Sequence, residues 1–423
     1  MEKLLHYVWK YRLFPERMTT IDGINIEVLD TGIENTDAGP DFLNAKIKMN
    51  SIVWAGNIEL HTQASDWGKH KHHTNAAYDS VILHVVGRMD TNNTVKHNGE
   101  SIPHLQLDIP ASVSENYQYL MSLDRDVACL PMLPFLPPLM LTSWKDSLLA
   151  ERLERKSQAI IDLCSSGQND WDSVFYTILC RNFGFGLNSD AFEWLAKTIP
   201  YKIILKHCDS VTDIEALLFG QAGFLAGEQK EEYSRYLRER YLFFSHKYEL
   251  KPLSPSIFRN ARTRPQSLPY TRMAQLARIL SRSRGLFSKV LETDQLPRLI
   301  PLFDTSVSFF WKTHFTFQTP ADFSAHRIGT PSLHILMINT VVPITFAYHK
   351  MKRNEAKAEH SLAMLESLPP ESNHITRMFA RGGITCASAF DSQALIQLKK
   401  EYCDKKRCLQ CRIGQKLLQQ GSL

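Results

Sequence analysis

The stretch GPDFLNAKIKMNSIVWAGNIELH, Gly39 to His61, decides how the first part of this chain is read. Residues 41–49 and 52–62 alternate in the manner of half-buried strands, and Asn50-Ser51 between them suits a tight hairpin turn. A turn centred there sets Asp41 opposite residue 60, with Glu59 and His61 on either side. Glu59 and His61 are two apart, so both point to one face of the sheet. Carboxylates are unfavourable inside a sheet, and two at one hairpin mouth call for a cation. Oxygen ligands with water suit Mg²⁺ or Mn²⁺, and such an ion would polarise a phosphate oxygen and acidify a bound water. The residues alone also allow Asp41 to be a turn residue after Gly-Pro and Glu59 a solvent-facing strand residue.

Working outward, Leu4, Leu5, Val8, Trp9 and Leu13 recur at helical spacing over 3–13, Asp22-Gly23 marks a turn, and 24–28 alternates as a strand. Downstream, Ser65-Asp66 suits a helix N-cap opening a short polar helix or loop. SVILHVV, 80–86, is a near-continuous apolar run expected of a strand buried on both faces. A second turn at Asn98-Gly99 precedes the strand-like HLQLDIP. His70, His72 and His73 crowd the connection, with His84 inside the buried strand. His70 and His73, three apart, would share a helix face, and the cluster could supply transition-metal ligands or phosphate contacts. His72 and His73 read equally as solvated loop residues, His84 as a core residue, and Asp66 and Tyr78 as a cap and an anchor.

Pro40-Asp41 followed by Glu59-Leu60-His61, in the order helix, three strands, short helix, two strands, resembles the PD-(D/E)XK nuclease superfamily over about residues 1–110. The resemblance implies a restriction-endonuclease-like α/β module in which Asp41 and Glu59 bind Mg²⁺ (or Mn²⁺). His61 occupies the position of the family's Lys, which positions or activates the attacking water. His70 is expected to assist. The family often adds a Glu from its first helix, for which Glu2 and Glu16 stand, and Glu27 on the first strand is another. His for Lys is a departure: a neutral imidazole can act as base or ligand near neutral pH but lacks a fixed charge. The whole chain also resembles an uncharacterised bacterial family with the pattern GPDF, ExH, SDW and HxH, which implies no activity.

At 423 residues the chain exceeds one small core. Hydrophobic residues at 43% and charged residues at 22% describe a globular protein. The expected division is an α/β module over 1–110, a Pro-rich linker over 111–142, an α-helical domain over 143–385 and a metal-binding tail over 386–423 packed on that domain. The helical reading rests on segments such as 143–164, 171–183, 212–226, 229–245, 270–284 and 329–350. The longest apolar run, 333–348, is broken by Asn339 and Pro343 and falls short of the roughly 20 residues a membrane span needs, so it reads as a core helix with no membrane partner. The N-terminus lacks the features of a signal peptide, and eight Cys without a dense disulfide framework suit a reducing cytoplasm.

The net charge of +5 is mild, but its distribution is uneven. Residues 1–110 hold ten Lys/Arg against fourteen Asp/Glu, and residues 251–291 hold nine Lys/Arg and no acid. Arg259, Arg262, Arg264, Arg272, Arg278, Arg282 and Arg284 fill this strip, the first three in a Pro-punctuated loop and the rest on one broad helix face. Forked guanidinium groups suit phosphate, so the strip is expected to track a nucleic-acid backbone. A solvated helix face, or pairing with acids of the acidic first module, is the plainer alternative. Cys386, Cys403, Cys408 and Cys411 form C-x16-C-x4-C-x2-C near the end. Four thiols so close suit a structural Zn²⁺ site or an iron–sulphur cluster, and Lys399, Lys400, Lys405, Lys406, Arg407 and Arg412 beside them favour thiolates. The other cysteines, Cys129, Cys164, Cys180 and Cys208, read as buried small hydrophobes.

The expected activity is a Mg²⁺-dependent phosphodiesterase acting on nucleic acid, with DNA the expected substrate. The alternatives are a catalytically degenerate nucleic-acid-binding protein on the same scaffold, or a His-based metal hydrolase of another substrate.

Overall fold

A computed structural model describes residues 1–420 except 93, 168–169, 261–263, 265–266, 283, 294 and 322–326. The chain divides into two compact units, Met1–Pro137 with Lys399–Leu423, and Pro138–Leu398.

The first unit opens with helix α1, Glu2–Lys10, which buries Leu4, Leu5, Val8 and Trp9 as their spacing requires. Strands β1 (Arg17–Thr19), β2 (Asn25–Asp30), β3 (Ile33–Glu34), β4 (Phe42–Met49) and β5 (Ile52–Gln63) follow. A short helix α2, Asp66–Lys69, and two single turns lead to β6 (Val81–Arg88), then β7 (His104–Gln106) and helix α3 (Ala111–Ser122). The sheet order is β1-β2-β4-β5-β6-β7, with β3 at the side of β4. Pairing is antiparallel up to β5, while β5–β6 and β6–β7 are parallel. Ile58 and Leu60 of β5 join α1 in one core with Phe42, Leu83 and Val85. Their neighbours Glu59 and His61 therefore point to the opposite face, where Trp67, Tyr78, Val81 and Ile102 make a smaller apolar cluster.

The hairpin register holds from Met49↔Ile52 to Ala45↔Gly56 and then slips by one, so Phe42 faces Ile58. Asn44 takes a left-handed φ of 57° at the slip, a conformation Asn tolerates better than most residues. The bulge sets Asp41 against Glu59 rather than residue 60, correcting the register expected from the turn alone.

The stretch expected as a linker is largely structured. It supplies α3 and a 3₁₀ turn, Leu130–Phe135, and the second unit begins at Pro138. Residues 399–423 belong to the first unit instead of forming a tail on the helical one. Leu418 enters the α1 core, and the Asn116 side chain donates to the carbonyls of Leu417 and Gln420, at 3.3 and 3.2 Å.

The second unit is mainly helical, starting with α4, Pro138–Ser166. Its apolar segment Thr330–Met351 spans 22 residues, so it is long and apolar enough to cross a membrane, contrary to the shorter run counted in the sequence, and most of it is buried in the unit's interior. Pro343 has no N–H to return to Asn339, and a π turn at Met337–Val341 results. The freed Asn339 carbonyl accepts from the Asn182 side chain at 2.9 Å. Helices Val211–Gln221 and Glu232–Tyr248 meet at Gly220, where an added Cβ would lie 2.0 Å from Tyr241 Cγ. Gly220→Ala is expected to destabilise this unit by about 1–3 kcal/mol or more, read as a lowered urea midpoint.

Glu215 is fully buried beside them, accepting from Tyr233 Oη and from Trp311 Nε1 at 3.0 Å. Burial holds its carboxyl above the ordinary range. The protonated acid is thus favoured by the fold, so its stabilisation is complete below the unfolded value of 4.5 and is lost as pH rises through the folded value. Glu215→Gln keeps the acceptor and is expected to flatten the alkaline loss of stability, measured as urea midpoint against pH.

Candidate functional site

The two carboxylates hold each other across the hairpin mouth. The Asp41 N–H donates to Glu59 Oε2 at 3.1 Å, and the Leu60 N–H donates to Asp41 Oδ2 at 2.9 Å. Glu59 is 4% exposed. Its other oxygen, Oε1, lies 3.2 Å from His72 Nε2 and 3.5 Å from His61 Nε2. His61 Nε2 is also 3.1 Å from His70 Nδ1, and His61 Nδ1 is 2.8 Å from His84 Nε2. A donor nitrogen from each of His61, His70 and His72 lies within 4.8 Å of the others. Glu59 thus completes a set of three imidazoles and a carboxylate, with Asp41 at its side.

Local backbone explains who faces in. Helix α2 is a single turn, and Lys71 adopts a left-handed φ of 59° directly after it. That reversal starts the 3₁₀ turn His72–Thr74 and swings His72 inward, stacked on Tyr78 at 3.8 Å, while His73 points to solvent. The expected shared face of His70 and His73 is therefore replaced by a pairing of His70 with His72. Helix periodicity could not have found this, since the helix ends too soon.

Glu2 and His6 on α1 approach from the core side. His6 Nε2 lies 3.5 Å from Asp41 Oδ2, and the Glu2 charge acts on both carboxylates. Of the three extra acids weighed, Glu2 is the one at the site. Glu27 instead sits 3.9 Å from Lys48 on neighbouring β4, and Glu16 is an exposed residue before β1.

Burial dominates the electrostatics. It lifts Asp41, and with the Asp41 charge it pushes Glu59 up to about 9. Burial, then His72 and His70, pushes His61 down to about 3. Burial, then His61 and His104, pushes His84 down to about 2, and burial also lowers His72. Glu59 and His61 are therefore in contact without being an ion pair, despite their 3.5 Å separation. His61 does not supply the positive charge a Lys would. Its neutral ring is in the form that binds metals.

The donor set fits a divalent cation. Among the described residues, buried His72 Nε2 makes no hydrogen bond, only its 3.2 Å approach to Glu59 Oε1, which suits a lone pair aimed at an ion shared with that carboxylate. When His61 offers Nε2 in the same way, its Nδ1–H donates to His84 Nε2, the outer hydrogen bond typical of a ligating imidazole. A dication among Glu59 and Asp41 would return both to their ionised forms. Three imidazoles with a carboxylate favour Mn²⁺, Fe²⁺ or Zn²⁺ over Mg²⁺.

A cleft of about 690 Å³ shares Glu2 and His6 with this site. Lys3, Lys10, Lys405, Lys406 and Arg407 line it against Glu2 and Glu34. These basic residues lie in the first unit, and only the tail group drew notice in the sequence.

The arginine strip belongs to the helical unit and does not form one face. Helix Pro269–Leu280 ends before Arg282. Arg272 is buried 4.0 Å over the Phe185 ring and donates to Gln275 and Ser332, so its expected contact with a nucleic-acid backbone is corrected. Arg278 is half-buried and its charge acts on Glu215, and Arg284 pairs with Asp209 at 2.7 Å. Arg259, Arg264 and Arg282 are exposed, and Arg262 lies outside the described residues. Among the cysteines, Cys403, Cys408 and Cys411 lie in the first unit and Cys386 in the second. The charges acting on the Cys386 thiol are those of Asp391 and Lys145.

A family model described as "Protein of unknown function (DUF2851)" matches residues 2–374. No curated protein and no solved structure matches the chain.

Proposed function

The chain belongs to the DUF2851 family, and from the geometry of its site we propose a metal-dependent phosphodiesterase acting on nucleic acid, with DNA as substrate. The observation that carries this reading is the convergence of His61, His70, His72, Glu59 and Asp41 beside a cleft lined with basic side chains. The resemblance of Pro40-Asp41 and Glu59-Leu60-His61 to the PD-(D/E)XK pattern supports it, as does the antiparallel β2, β4, β5 set followed by parallel β6.

Bound there, the ion would polarise a phosphate oxygen and lower the pKa of a water molecule. Glu59, His61, His70 and His72 would hold it, and Asp41 would fix Glu59 through its backbone N–H. With His61 Nε2 at the ion, its Nδ1–H would donate to His84 Nε2 at 2.8 Å. His6, half-buried between Asp41 and the cleft, is placed to carry a proton from the site to solvent. The Lys and Arg side chains of the cleft neutralise backbone phosphates.

The test follows labelled single- and double-stranded DNA with Mn²⁺, Mg²⁺ and Zn²⁺, recording cleavage and binding together. Cleavage with Mn²⁺ that is lost on chelation supports the reading. Salt-sensitive binding without cleavage under any ion would replace it with the degenerate binding protein.

A further inference from the structure

We propose a second metal centre in which Cys129, not Cys386, joins Cys403, Cys408 and Cys411 as the fourth thiolate. Cys129 precedes the 3₁₀ turn Leu130–Phe135 and packs on the α1 core. Leu409, inside the Cys408–Cys411 turn, packs on that same core. The segment holding the other three thiols is folded back on itself. The Lys406 N–H donates to the Cys403 carbonyl at 3.1 Å with Lys406 left-handed at φ 49°, and the Cys411 N–H donates to the Cys408 carbonyl at 3.3 Å. The helix after Cys411 presses on this turn, since a Cβ at Gly414 would meet the Cys408 carbonyl at 2.1 Å. Lys406 Nζ reaches the Met121 carbonyl at 3.5 Å, at the end of α3 and eight residues before Cys129.

The four thiols are close enough that their charges act on one another. Cys408 and Cys411 act on Cys129, and Cys129, Cys408 and Cys411 act on Cys403. None of the chain's cysteines forms a disulfide. Four thiolates gathered from distant parts of a chain suit tetrahedral Zn²⁺ or an iron–sulphur cluster, which share this ligand chemistry. The centre also has a consequence for the cleft. The loop between Cys403 and Cys408 carries Lys405, Lys406 and Arg407, which form its basic wall. A metal tying both ends of that loop to Cys129 holds the wall in place, independently of the His-rich site.

The test is metal content of the full chain purified with and without oxygen, with its visible absorption, for the wild type, Cys129→Ser and Cys386→Ser. The expected result, beyond any ion held at the His-rich site, is one zinc, or one iron–sulphur cluster with its visible charge-transfer band, retained in Cys386→Ser and lost in Cys129→Ser. Alkylation of the wild type before and after chelation or oxidative metal removal needs no variant to fold. Cys129, Cys403, Cys408 and Cys411 should become reactive together, with Cys386 unchanged. Metal lost with Cys386→Ser and kept with Cys129→Ser, or the absence of bound zinc and iron from both preparations, would overturn the proposal.

Discussion

Asp41→Ala and Glu59→Ala are each expected to lower metal-dependent DNA cleavage by at least about a thousand-fold in kcat/KM, equivalent to ~4 kcal/mol of transition-state stabilisation. Glu59 meets His61 and His72 through one oxygen and the Asp41 backbone through the other. Glu59→Gln separates charge from folding. Its amide oxygen can still accept from the Asp41 N–H and keep the bulged hairpin closed, yet it brings no anion to the ion. Loss of cleavage in Glu59→Gln at unchanged thermal midpoint is the expected result. Wild-type rates in either Glu59 variant would remove the carboxylate from the mechanism.

His72→Ala and His73→Ala should differ sharply although the residues are adjacent. His72 is turned toward Glu59 and His73 toward water. Calorimetric titration with Mn²⁺ or Zn²⁺ should show His72→Ala weakening affinity at the hairpin site by about 100-fold or more, since losing even an outer partner of a ligand costs about 10–100-fold. His73→Ala should bind as the wild type does. The pH dependence has a defined sign. Glu59 is held up to about 9 before the ion binds, so binding near neutral pH expels its proton, and affinity should rise with pH toward about 9. His61 and His72 are already neutral there, pushed down by burial, and add no dependence in that range. Equal affinity in the two alanine variants would contradict the arrangement.

Much of the first unit was legible because its signals are local. Alternation marked β2, β4 and β5, and the apolar run at 80–86 correctly implied β6 as a strand buried on both faces. Strands of two or three residues, β1 and β3, carry too little pattern to be seen. The carboxylate pair was legible from the hairpin, but its partner position was not. A one-residue bulge at Asn44 shifts the register, and nothing in the alternation signals it. His72 was hidden because a left-handed residue, Lys71, decides its direction.

The remaining differences arise from contacts between distant parts of the chain. Residues 399–423 pair with the first unit through Leu418 and Asn116, some 300 residues away in sequence. Spacing grouped Cys386 with the tail cysteines, whereas Cys403, Cys408 and Cys411 lie in the first unit, as Cys129 does, and Cys386 lies in the second. The arginine strip failed as a single face because a helix expected to reach 284 ends at Leu280, and Arg272 faces inward. Charge counts along a sequence do not separate solvated arginines from buried ones.

The most direct measurement is anomalous diffraction from crystals soaked in Mn²⁺, with data on both sides of the manganese edge. The account predicts one strong peak within bonding distance of Glu59 and at least two of His61, His70 and His72. An intact, solvent-accessible site without a peak, or manganese bound only elsewhere on the chain, would contradict it.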